Sequence, residues 1–310
     1  MDDEIGAKLR SARETAGLSL SNVAPAVMSE ALHGAFTAMF GPGLSVEEWW
    51  DRSESYGRDY MTLGAGELSA RLVADMVRLQ QYVDDPAVWA PASCLMTVYG
   101  KTLPTNQGRK GAISWYQLAA RLADRSGDLP TRVWVRGRAA LALAYEGAEL
   151  RTAGRWAEDA VALSQTPSMG RLNALLARVH VISARGELTA TERALDDARR
   201  EFDVSGSHEQ ESDFAMPEWR FAIHESMLFS RLGDERATAA QDTVDRLRPA
   251  SLPRFGTHVE LHRGLMLARA GDTTGGVQYA RTGLERLPEG KRSLSLQLMM
   301  AEVEQTTRSG

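Results

Sequence analysis

Beyond residue 66, apolar residues recur at three- and four-residue spacing, and no stretch alternates with polar positions long enough to argue for a strand. The pattern predicts helix after helix, arranged in pairs, and so an all-α chain. Its punctuation repeats as well, at Glu146-Gly147, Arg185-Gly186-Glu187, Leu232-Gly233-Asp234 and Ala270-Gly271-Asp272. Each glycine follows one periodic segment and precedes another, the place where a helix ends in a left-handed residue. The glycines stand 39, 47 and 38 residues apart, a spacing that suits arrays of helix pairs. Upstream, Glu67–Val83 and Pro86–Tyr99 read as a further pair, Gly111–Ser126 as another helix, and Leu294–Glu304 as a final capping helix.

Aligning the four glycines brings columns into register. Four residues before each stand Leu143, Ile182, Phe229 and Leu267, all large and apolar. Seven before stand Ala140, Val179, Ser226 and Gly264, mostly small. Small side chains let a neighbouring helix approach closely, and the large column is expected to fill the shared core. Pro167, Pro249 and Pro288 follow three of the second helices, where a proline ends the run. Val204 to Pro217 is a polar insertion expected to bulge from the surface.

This arrangement over residues 68–305 resembles the tetratricopeptide repeat (TPR), a helix-turn-helix unit with small residues on its first helix and Gly-Asp or Gly-Glu between helices. The repeats are longer than the standard unit and lack its full aromatic signature, so the fold expected is a TPR-like helical-repeat solenoid preceded by a small N-terminal helical segment. The domains expected are 1–62 and 63–310.

The N-terminal segment carries Ile5, Leu9, Arg10, Arg13, then Ala16-Gly17-Leu18-Ser19, then Val23-Ala24. An amphipathic helix, a glycine turn and a serine N-cap are coherent there. The string resembles the first half of a Cro-type (xenobiotic-response-element type) helix-turn-helix, which that family places before TPR repeats in many actinobacterial regulators. The second half departs from the family. Where a polar, basic recognition helix belongs, the sequence runs Ser29-Glu-Ala-Leu-His-Gly-Ala-Phe-Thr-Ala-Met-Phe40, and only Ser29, His33 and Thr37 are suited to a base edge. The segment is read as a degenerate reader.

Charge sharpens this point. The chain of 310 residues carries a net charge of −5, and residues 1–61 hold ten acids against five bases, so the whole excess lies there. Residues 29–61 hold six acids and two bases, which opposes binding to phosphates. Ser45-Val-Glu-Glu48 reads as a capping box opening a helix. In that helix the adjacent Trp49 and Trp50 cannot share a face, and the simplest reading still packs both at a domain junction. The acidic start, the absence of a long apolar run and the lone Cys94 lead us to expect a cytoplasmic chain without a membrane segment.

In a TPR-like solenoid the first helix of each pair lines the concave groove, the usual ligand face. Positions nine and thirteen before the glycines give Trp134 with Arg138, Asn173 with Ala177, Arg220 with His224, and His258 with His262. The candidate ligand-binding set is therefore Trp134, Arg138, Asn173, Arg220, His224, His258 and His262. Such a wall suits an anionic or aromatic ligand through charge-assisted hydrogen bonds and stacking. His258-x-x-x-His262 lacks the glutamate of a zinc-protease motif, Val259 standing in its place, so no metal is expected. The insertion segment Ser207–Asp213 reads as a solvated loop, or as a lid if it folds over the groove. Cys94 reads as a buried small side chain. No phosphate loop, nucleophile elbow or Cys-x-x-Cys occurs, and no cofactor is expected.

These features point to a regulator-like protein that binds a small molecule or peptide, its output passing to a protein partner or homodimer rather than to DNA. Two alternatives stay open. One is a cofactor-independent enzyme descended from such a regulator, with the groove residues in acid/base or orienting roles. The other is a protein–protein interaction scaffold.

Overall fold

Ser45 begins the first described helix in the expected way. Its hydroxyl accepts from the Glu48 amide at 3.2 Å, and the Glu48 carboxylate accepts from the Ser45 amide at 2.7 Å. Similar local chemistry opens later helices: Ser168 Oγ accepts from Arg171 N–H at 3.3 Å, and Asp272 Oδ1 from Gly275 N–H at 2.9 Å. The computed structural model describes residues 43–82, 84–103, 111–147 and 149–306, together with Ser29 and His33. The helix-turn-helix-like segment and Thr37 lie outside the described residues.

Thirteen α-helices and no strand occur among the described residues. They are α1 (Val46–Thr62), α2 (Ala65–Leu79), α3 (Trp89–Gly100), α4 (Ala112–Ser126), α5 (Leu129–Glu146), α6 (Leu150–Leu163), α7 (Met169–Ser183), α8 (Leu188–Ser205), α9 (Glu218–Leu232), α10 (Arg236–Leu247), α11 (Pro253–Arg269), α12 (Thr273–Glu285) and α13 (Leu294–Thr306). None is long and apolar enough to cross a membrane. The four punctuating glycines do take left-handed conformations, with φ of 71° at Gly147, 75° at Gly186, 70° at Gly233 and 104° at Gly271. Only glycine adopts that region without strain, so these positions end one helix and release the next.

The chain forms two compact units. The first contains the described residues up to Tyr56 and Ala65–Asp128. Here Arg52 Nη1 donates to both carboxylate oxygens of the buried Asp75, at 3.0 and 2.8 Å, and Tyr56 O–H donates to the same carboxylate at 2.7 Å. Trp49 is fully buried, edge-on to Tyr82 at 5.5 Å, whereas Trp50 remains 37% exposed. The expectation that both tryptophans pack is therefore corrected: neighbours on a helix point about 100° apart, and the core claims only one. Cys94 is buried in α3, as expected, and burial pushes its thiol pKa upward.

The second unit contains Gly57–Gly64 and the chain from Leu129 onward. The first helices of successive pairs lie side by side: α5 packs against α7, α7 against α9, α9 against α11 and α11 against α13. The helices α6, α8, α10 and α12 pack against their own partners, and α13 also touches α5. The small column works as expected, with Ala140, Val179, Ser226 and Gly264 all buried. The large column does so only in part. Leu143 and Phe229 are buried and Ile182 is partly so, but Leu267 is 39% exposed, and α11 and α12 approach through glycines. A methyl group on Gly264 would meet Ala280 Cβ at 2.6 Å, and one on Gly276 would meet the Gly264 carbonyl at 2.5 Å.

The crossing of α5 and α7 is closer still. A Cβ on Gly137 would lie 2.0 Å from the Gly170 carbonyl oxygen, and one on Gly170 would lie 2.6 Å from Trp134 backbone atoms. Backbone blocks both, so neither neighbour can yield by turning a side chain. Gly170→Ala is expected to cost about 1–3 kcal/mol or more through forced separation of the helices. Gly154→Ala, where a Cβ meets only Val181 Cγ1 at 3.6 Å, is expected to stabilise by about 0.4–1 kcal/mol. Urea denaturation midpoints of the two variants should move in opposite directions from the parent.

Candidate functional site

The seven residues singled out from the sequence all lie on the row formed by α5, α7, α9 and α11. Six of them, Trp134, Arg138, Asn173, Arg220, His258 and His262, are buried, and His224 is partly so. Five of them fall into two groups, followed by an open hollow; Asn173 and His262 belong to neither.

The first group meets an aromatic ring and an anion, both supplied by the chain. Arg138 binds Asp213 through Nε and Nη2, at 3.1 and 2.8 Å. Arg220 Nη2 donates to the same carboxylate at 3.2 Å, while its Nη1 donates to the carbonyls of Ser212 and Ala215. Phe214 stacks on Trp134 with centroids 4.5 Å apart and planes inclined by 18°. The Asp213 amide donates to the Gly57 carbonyl at 2.9 Å. Burial pushes the Arg220 guanidinium below its ordinary value, with Asp213 opposing the effect. The insertion thus behaves differently along its length. Residues 208–210 are exposed, as expected of a solvated bulge, but Ser212, Asp213, Ala215, Met216 and Pro217 are buried. The expectation of a surface loop fails for this half because two guanidinium groups on the row need a buried counter-charge.

The second group surrounds Tyr145. The rings of His180, His224 and His258 lie 5.6, 5.3 and 5.5 Å from it by centroid. Within this cluster His180 Nε2 and His224 Nδ1 share a hydrogen bond of 3.0 Å, and the Tyr145 hydroxyl pairs with His258 Nδ1 at 2.9 Å. His262 stands apart and pairs with Ser226 Oγ through Nδ1 at 2.8 Å. Burial pushes His180 and His258 down to about 3, helped by the charges of Arg231 and Arg254 respectively. His224 and His262 also lie well below the ordinary imidazole value, burial being the largest cause. The imidazoles are therefore neutral at pH 7, a state suited to hydrogen bonding and poorly suited to proton donation. No group of three or more metal-ligating side chains is assembled among the described residues. His180 Nδ1, His262 Nε2, Asn173 Nδ2 and Trp134 Nε1 are buried without a hydrogen-bond partner.

Past the histidines the row opens into a hollow of about 660 Å³. Its walls are the last turns of α5, α7, α9 and α11, closed by one face of α13. Arg231 is held there by both oxygens of Glu302, at 2.8–3.1 Å, with Glu146, Arg269 and Gln305 around it. The charge of Arg231 contributes to lowering His180 and His262 and acts on Tyr145, which joins the hollow electrostatically to the buried cluster.

Several contributors escaped the sequence reading. Tyr145 stands two before Gly147, in a column continued by Ala184, Arg231 and Arg269, and the last three line the hollow. His180 stands six before Gly186, where the other repeats carry Leu141, Met227 and Leu265. A histidine interrupting an apolar column was the available signal. No local pattern marked Asp213 as the partner of an arginine 75 residues away.

Two outcomes follow. Asp213→Asn leaves two buried guanidiniums without their carboxylate and is expected to lower unfolding free energy by about 3–5 kcal/mol in urea titrations. For the histidines, the folded value near 3 lies below the unfolded value of 6.5. Protons then favour the unfolded chain, so stability is full above pH 6.5 and falls as the pH drops toward 3. Each of His180 and His258 contributes a slope of up to about 1.4 kcal/mol per pH unit in that window. The urea midpoint should fall from pH 7 to pH 5, and a flat profile would refute the buried neutral state. Comparison with known protein families, curated proteins and solved structures finds no match to this chain.

Proposed function

We propose that this chain is a regulator-like, TPR-like binding protein that takes a small polar molecule or the end of a short peptide on the row α5, α7, α9 and α11. The side-by-side packing of these helices, with left-handed glycines between pairs, supports the TPR-like reading. The observation that carries the functional reading is the 660 Å³ hollow at the end of the polar row. Asp213 and Phe214 already occupy the Arg138, Arg220 and Trp134 end. Ligand entry is therefore assigned to the hollow, where solvent reaches Arg231, Glu302 and Arg269.

The chemistry there is two-sided. The C-terminal ends of helices carry partial negative charge, and Glu146 and Glu302 add to it, which favours an ammonium or amide donor. Arg231 and Arg269 favour a carboxylate. A zwitterion or short peptide satisfies both. Neutral, strongly depressed imidazoles support a binding role over acid–base catalysis.

The output is assigned to a protein partner or a second copy, in the cytoplasm. Glu47, Glu48, Asp51 and Glu54 of α1 are exposed, a charge pattern that repels phosphates. In fluorescence anisotropy across a salt series, no salt-sensitive binding to DNA from the gene's own neighbourhood is expected. Such binding at low ionic strength would overturn this part of the reading. The ligand is tested by mass spectrometry of small molecules released from the purified protein, with Glu302→Gln and Arg269→Gln as comparison variants. A released zwitterion or peptide, depleted in both variants, is expected. A compound retained equally by both variants would place the site elsewhere.

A further inference from the structure

We propose that the first unit holds a second, separate ligand site that takes an amphipathic carboxylate with an unbranched apolar tail. The site is a hollow of about 240 Å³ between α2, α3, α4 and the short 3₁₀ turns joining α2 to α3. That space equals the share of about eight waters, enough for a medium-length alkyl chain.

Its walls are almost wholly apolar. Met76 and Met96 supply unbranched, adaptable side chains, and Trp89, Trp115 and Tyr99 supply flat ring surface. Trp115 is held edge-on against Tyr99 at 4.7 Å, which sets that part of the wall. Such a lining gives water little to bond with and favours displacement by a hydrocarbon chain.

Among the described residues, one cation meets this apolar space. Arg125, in the last turn of α4, lines the hollow and is itself exposed to solvent. It has no carboxylate partner among the described residues, unlike Arg52 and Arg78 of the same unit, which pair with Asp75. An uncommitted guanidinium beside an apolar chamber selects a head group of opposite charge, bound bidentately at the solvent edge. The tail enters and the carboxylate stays outside with Arg125. This division of polarity singles out a fatty-acid-like or alkanoate ligand over an amine or a neutral alcohol of the same length.

The test uses the full chain and three ten-carbon probes: decanoate, decylamine and decanol, each below its aggregation threshold. Titration calorimetry should show saturable binding of decanoate near one equivalent, about tenfold tighter than decylamine. Arg125→Gln should abolish that preference and Arg125→Glu should reverse it, with thermal melting confirming that both variants fold. Ala92→Leu, which fills the chamber, should weaken all three probes together. If that variant fails to fold, the two Arg125 variants decide the matter. No saturable binding of decanoate would overturn the proposal, as would equal affinity for the three probes. Decanoate binding that is indifferent to Arg125 would overturn it too. None of these outcomes bears on the hollow at Arg231, because the probes lack the second polar group assigned to that site.

Discussion

A single buried carboxylate holds together the most consequential part of the second unit. Asp213 is shared by Arg138 of α5 and Arg220 of α9, so the insertion is clamped to two helices of the row at once. Charges in such a place are costly unless paired and hydrogen-bonded. The clamp meets that condition by bidentate geometry and by spending the remaining donors of Arg220 on loop carbonyls. Once Asp213 is seated, Phe214 falls onto Trp134 and closes off that end of the row.

Closing one end decides what the rest of the row can do. The polar side chains do not form a continuous open groove; they form a sealed clamp, a buried histidine cluster and then an accessible hollow. Accessible space is thereby left only toward the helix C-termini, where the Arg231–Glu302 pair lines the hollow. The buried imidazoles form a neutral layer between clamp and hollow. Ring nitrogens without partners, at His180 and His262, make that layer less than fully satisfied, which is unusual for a purely structural core.

Much of the fold could be read in advance because its determinants are local. The capping box at Ser45 and Glu48, the left-handed glycines and the stop of α10 before Pro249 each depend on residues within a turn of one another. The small column was also legible, since close helix approach demands small side chains whatever their partner. The polar row was legible as a set of residues and not as an arrangement. Register placed Trp134, Arg138, Asn173, Arg220, His224, His258 and His262 on one row, while Tyr145 and His180 lay in columns that register did not single out. Trp50 and Leu267 mark the same limit, because periodicity says that a residue is apolar and on which face it lies, not whether another element covers it.

The sequence by itself determined an all-helical chain, the places where its helices turn, and an N-terminal fifth that carries the whole excess of negative charge. These follow from backbone conformational preferences and from charge counts, which need no knowledge of distant contacts. Only the tertiary structure decided that the arginines of the row are answered by the chain's own Asp213, that four histidines are neutral, and that space remains at one end of the row and inside the first unit. The reason is desolvation. The cost of burying a charge or a ring nitrogen, and the partner that offsets it, are set by groups brought together from far along the chain, and no spacing rule encodes them.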